Sequence, residues 1–105
     1  MNAAELRAWI EDTVGNLVMA AGLAKSKGDV DMGDGFAFGA RLLSEIDLDC
    51  NHETLLQRMA AAAVSMRLNA AAVKHGGEKS LRDFGYGLDS VADSITDRVE
   101  AERVN

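Results

Sequence analysis

Apolar residues recur along this chain with helical spacing, in four blocks. Leu6, Ile10, Thr13, Leu17, Ala21 and Ala24 fall on one face of a helix predicted from about Ala3 to Ser26, with Trp9 and Val14 at its margins. Lys25 and Lys27 suit the negative end of that helix's dipole, and Gly28 is a natural C-cap. The stretch Gly28-Asp-Val-Asp-Met-Gly-Asp-Gly35 reads as a loop. A second helix from about Gly35 to Asp47 would bury Phe36, Leu42, Leu43 and Ile46. Asn51 can cap a third helix, with Glu53 in its first turn and Gly76-Gly77 at its end. A fourth begins near Glu78 or Ser80 and runs to about Arg103, with Leu81, Phe84, Leu88, Val91, Ile95 and Val99 as its apolar stripe.

The third block is apolar on two sides. Leu55, Met59, Ala62, Met66, Ala70 and Val73 converge on one face, while Ala61, Val64, Leu68 and Ala72 gather on nearly the opposite one. A helix of that kind asks for neighbours on more than one side, and its alanines would let them approach closely. The predicted fold is therefore all-α: a compact four-helix bundle in a single domain, residues 1–105, with the Ala-rich third helix at its centre. Gly85 and Gly87 lie inside the fourth helix, where each should cost roughly 1 kcal/mol relative to Ala. Close packing against another backbone is the expected reason for them.

Composition sharpens this picture. Of the 105 residues, 48% are hydrophobic, which excludes a disordered chain, and there is no proline to interrupt long helices. The lone cysteine, Cys50, has no partner for an internal disulfide, so a reducing compartment is expected. The opening MNAAELRAW lacks a basic and then an apolar region, so no signal peptide is expected. Even Leu55–Val73 carries Arg58 and Arg67, so no membrane span is expected either. The protein should be soluble and cytoplasmic. A net charge of −6 repels phosphate backbones and anionic lipids, which argues against direct nucleic-acid binding and for a basic protein partner.

Candidate chemistry is sparse. Asp29, Asp31 and Asp34 look like the start of a calcium loop, but an EF-hand needs an oxygen ligand at 33, a glycine at 34 and an acid at 40. The chain has Gly33, Asp34 and Ala40 there. Asp47, Asp49, Cys50, His52 and Glu53 cluster between the second and third helices without a metal-ligand spacing, and His75 lies a whole helix away. They read better as turn and cap residues, so neither metal nor cofactor is expected. No P-loop ending and no glycine-flanked or His-paired nucleophile is present.

The clearest polar feature is on the fourth helix. Asp83, Asp89, Asp93, Asp97 and Glu100 fall within about 120° of one another, opposite the apolar stripe, and Tyr86 lies among them. Asp89, Asp93 and Asp97 follow i, i+4, i+8 spacing, so each repels the next by a few tenths of a kcal/mol. A strip of this kind can dock on a basic cleft, with the acids in charge pairing and the tyrosine as anchor. The leading expectation is a non-catalytic inhibitor or regulator of a basic, nucleic-acid-handling protein. At the level of class, a small, acidic, motif-free helical chain resembles mobile-element proteins that block host machinery, anti-CRISPR inhibitors among them. The alternative resembles all-α nucleotide pyrophosphatases, which place acids from two helices around magnesium. This chain lacks their Glu-Glu-x-x-Glu run, and the alternative requires acids of helices two and four to face each other across a wet cleft. Met19 and Leu23 stand off the first helix's main stripe, as does Val18, and are expected to support a homodimer near its two-fold axis.

Overall fold

Asn2 starts the first helix with a reciprocal capping box: its side chain accepts from the Glu5 N–H at 2.8 Å, and the Glu5 carboxylate accepts from the Asn2 N–H at 3.0 Å. The computed structural model describes residues 1–76 and 78–104 and forms helices α1 (Ala3–Ser26), α2 (Val30–Ser44), α3 (His52–Lys74) and α4 (Lys79–Arg103). The turn after α1 needs Gly28, whose φ of +92° is strained for any residue with a side chain. Asn51 caps α3 by accepting from the Thr54 N–H at 2.8 Å. Among the described residues there is no strand, and the architecture is a four-helix bundle.

Neighbours run in the order α1, α2, α4, α3, with α1 and α3 touching only lightly. The core is built from Leu6 and Ile10 of α1, Leu43 of α2, Leu55, Leu56, Met59 and Met66 of α3, and Leu88, Val91 and Ile95 of α4, all essentially inaccessible. Among the described residues no polar or charged residue is part of this core.

Glycine sets the spacing at the centre. A Cβ on Gly35 would press into the Phe84 carbonyl oxygen and lie 3.2 Å from the Gly87 Cα. One on Gly87 would come within 2.5 Å of the Met32 carbonyl oxygen, and one on Gly39 within 2.8 Å of the Val91 side chain. Thus α2 and α4 cross backbone to backbone. Gly85 serves α3 in the same way, since its Cβ would meet Ala70 and Lys74. The expectation that Gly85 and Gly87 permit close packing is met at both positions.

Three expectations are corrected. The stretch from Gly28 to Gly35 is not a loop throughout, because α2 begins at Val30 and ends at Ser44, ahead of Asp47. Its early glycines are contact points rather than breakers: Gly33 lies against Ala21 and Lys25 of α1, and Gly35 against α4. Nor does α3 occupy the centre. It packs along α4, and its second apolar face is open to solvent, with Val64 57% and Leu68 68% exposed and Ala61 and Ala72 also exposed. The helices with full neighbours on two sides are α2 and α4. Third, Leu81 at the head of the α4 stripe is 39% exposed rather than covered. Gly77, expected to help end α3, lies outside the described residues.

Candidate functional site

The acidic strip of α4 divides into two parts. Towards the N-terminal half, basic side chains of α3 and of α4 itself occupy the carboxylates. Lys74 of α3 pairs with Asp89, and its ammonium also lies 5.1 Å from the centre of the Tyr86 ring, a cation–π distance. Arg67 of α3 reaches Asp93 at 2.8 Å and donates to the Thr96 hydroxyl at 3.2 Å. Lys79 meets Asp83 at 3.3 Å one turn away on the same helix. These contacts relieve the i, i+4 repulsion that the spacing alone predicts, and the Lys74 and Arg67 pairs tie α3 to α4.

Towards the C-terminal half the compensation stops. Asp97 and Glu100 are exposed, and neither has an ion-pair partner among the described residues. Asp93 keeps most of its side chain in solvent despite Arg67, and Tyr86 is 52% exposed. The six predicted residues therefore share one helix face, but Asp89 and Asp83 are committed within the chain, whereas Asp97 and Glu100 are free. Sequence reasoning missed this division because Lys74 and Arg67 belong to another helix.

At the end of the strip Glu102 turns inward, with only 7% of its side chain exposed. It accepts the Met1 ammonium at 2.8 Å, lies 3.5 Å from the His52 Nε2 and 3.7 Å from the Arg98 guanidinium. The hydrogen bond from the Met1 ammonium, opposed by burial and aided by His52 and Arg98, holds its carboxyl below the ordinary value of 4.5. Arg98 also stacks 5.4 Å from the centre of the Trp9 ring. This knot joins α1, α3 and α4 at one end of the bundle.

The other candidates resolve into local structure. Asp34 pairs with Lys25 at 2.8 Å. Asp47 accepts from the Asp49 N–H at 3.0 Å, Glu53 meets Arg103 at 3.4 Å, and the Cys50 thiol is free. Among the described residues no three His, Cys, Asp or Glu side chains converge to hold a metal. Asp29 and Asp31 of the α2 start do share a polar cleft of about 310 Å³ with Asp83 of α4, but Lys79 lines it too and takes the Asp83 carboxylate. A second cleft of about 320 Å³ lies between α1 and the end of α2, apolar with Ile10, Val14, Leu43, Ile46 and Leu48, and with Glu11 at its rim. Among the described residues no helix is long and apolar enough to cross a membrane. Comparison with family models, with curated proteins and with solved structures finds no match.

Proposed function

We propose that this chain is a non-catalytic binding module that presents the outer strip of α4 to a basic surface on a protein partner, and so inhibits or regulates that partner. The observation that carries the reading is the open end of the strip. Asp97 and Glu100 project carboxylates with no counterion of their own among the described residues, next to the exposed face of Asp93 and in line with Tyr86. Uncompensated like charge raises the local potential and steers an oppositely charged surface. Tyr86 supplies amphipathic area at low entropic cost, with the Lys74 ammonium over its ring. A partner whose basic groove takes nucleic-acid phosphates is the class that this strip suits, because a row of carboxylates competes for the same cations. Counter-defence proteins of mobile elements are the setting in which such a module fits, with Cys50 kept as a thiol in a reducing cytoplasm.

The test uses the chain as bait in a cell extract. Asp97→Lys combined with Glu100→Lys should lose the basic protein that the wild type retains, while the thermal midpoint stays within a degree or two. Tyr86→Ala should weaken retention at the same site. Equal capture by wild type and the double reversal would overturn the reading. Reversing Asp89 is a poorer probe than the sequence suggests, since Lys74 would then face a like charge across the α3–α4 seam.

A further inference from the structure

The outward face of α1 is uncovered, and its chemistry is arranged symmetrically about one point. Val18 (57% exposed), Met19 (68%) and Leu23 (60%) stand in solvent. Between them lie Gly15 and Gly22, exposed, where an added Cβ would meet no atom within 4 Å. Gly15 and Gly22 are two helical turns apart and equidistant from the midpoint between Val18 and Met19. So are Asp12 and Lys25, and Glu11 and Ser26. At 100° per residue, Gly15, Gly22, Glu11 and Ser26 share the centre of this face, with Val18 and Met19 on either side and Asp12 and Lys25 at its edges.

We propose that this face pairs with the same face of a second copy, the two α1 helices running antiparallel about a two-fold axis between Val18 and Met19. In that register Gly15 faces Gly22 of the second copy, Val18 and Met19 of the two copies share the central layer, and Lys25 lies on the same side of the seam as Glu11 of the second copy. The glycines let the two backbones approach closely, and the bulkier pair interdigitates beside them. Charge selects a second copy over a foreign helix. The acid end of the face, Glu11 and Asp12, and its basic end, Lys25, complement each other only when the face is turned on itself, which is what an isologous contact requires. Lys25 is half exposed and already pairs with Asp34, so it can take a second carboxylate from solvent. Glu11 has no ion-pair partner among the described residues. The exposed stripe of α3, Val64 and Leu68, offers no such self-complementarity, because its flanking charges, Arg58 and Arg67, are both basic. A single helix pair buries less than the standard interface, so the dimer belongs to the weak, concentration-dependent class.

Sedimentation equilibrium from low to high micromolar protein, at low salt, tests this. The wild type should pass from monomer to dimer. Gly15→Ala combined with Gly22→Ala should raise the helix stability of the dilute chain yet weaken association by about tenfold or more, because each methyl wedges the close contact open. A packing role within the monomer predicts the opposite sign for the first effect. Glu11→Lys and Lys25→Asp should each be monomeric alone, and an equimolar mixture of the two should dimerise, since both cross-pairs then have opposite charge. Circular dichroism checks that each variant keeps its helicity. If Lys25→Asp disturbs its own fold through the lost Asp34 contact, the glycine and Glu11 variants, none of which breaks an ion pair in its own chain, still decide the question. A wild type that stays monomeric at high micromolar concentration, or a dimer indifferent to Glu11→Lys and to the glycine pair, would overturn the proposal, the latter pointing to the α3 stripe.

Discussion

Replacing Gly35 by Ala places a methyl group where α2 and α4 leave none. The new Cβ would press into the Phe84 carbonyl oxygen and stand 3.0 Å from the Leu88 nitrogen and 3.2 Å from the Gly87 Cα. All three are backbone atoms, so no rotamer change makes room, and one helix must move by roughly 1 Å to recover ordinary contact. Overpacking of this kind costs about 1–3 kcal/mol. The cost belongs at the upper end here, because the same movement also loosens Gly39 against Val91. Alanine returns about 1 kcal/mol of helix propensity. The net expectation is a loss of about 2 kcal/mol, which for a domain of this size lowers the thermal midpoint by about 8 °C. Gly22→Ala is the control, since no atom lies within 4 Å of its added methyl. Measured in dilute solution, it should gain about 0.5–1 kcal/mol from the same propensity term. Both midpoints can be followed by far-ultraviolet circular dichroism. A Gly35→Ala variant as stable as Gly22→Ala would refute the backbone-to-backbone crossing of α2 and α4.

Two further outcomes test other contacts. Glu102→Gln should destabilise the chain at neutral pH, and because the folded carboxyl of Glu102 lies below 4.5, its contribution is fully present above that value and is lost as pH falls through the lower folded value. The stability difference between wild type and variant should therefore shrink on acidification below 4.5, and a difference constant from neutral to strongly acidic pH would show that the carboxylate is not held as described. Asn51→Ala removes the acceptor for the Thr54 N–H and should cost about 1 kcal/mol in urea unfolding, with Asn51→Asp restoring most of it.

The limits of α1 were among the most legible parts of the sequence. Its apolar period, the lysines in and after its last turn and Gly28 all act within a few residues, and the helix spans Ala3–Ser26 as those signals predict. The start of α2 was hidden by the same local logic. The stretch from Gly28 to Gly35 reads as a loop because glycine's intrinsic preference opposes a helix, and what overrides that preference at Gly33 and Gly35 is α1 and α4 lying against them, far away in sequence. The two apolar faces of α3 were visible, but periodicity defines a face and not what covers it. Val64 and Leu68 remain in water because α3 stands at the edge of the helix order, packed along α4 on one side and only lightly touched by α1 and α2. On α4 the shared face of the six candidate residues follows from spacing alone. The division between committed and free acids depends on the register of α3 against α4, which brings Lys74 to Asp89 and Arg67 to Asp93 and leaves Asp97 and Glu100 beyond reach.

The proposed binding face rests on that division, and one paired measurement addresses it. Asp89→Asn and the double variant Asp97→Asn with Glu100→Asn are compared with wild type for thermal midpoint and for the salt concentration that elutes the basic protein captured by the immobilised chain. Asp89→Asn should lower the midpoint by several degrees, having left Lys74 without its carboxylate, and elute close to wild type. The double variant should keep the wild-type midpoint and elute at clearly lower salt, because it removes the two carboxylates that are free to pair with a partner. If the double variant elutes with wild type, or if Asp89→Asn alone abolishes capture at an unchanged midpoint, the open end of α4 is not the binding face.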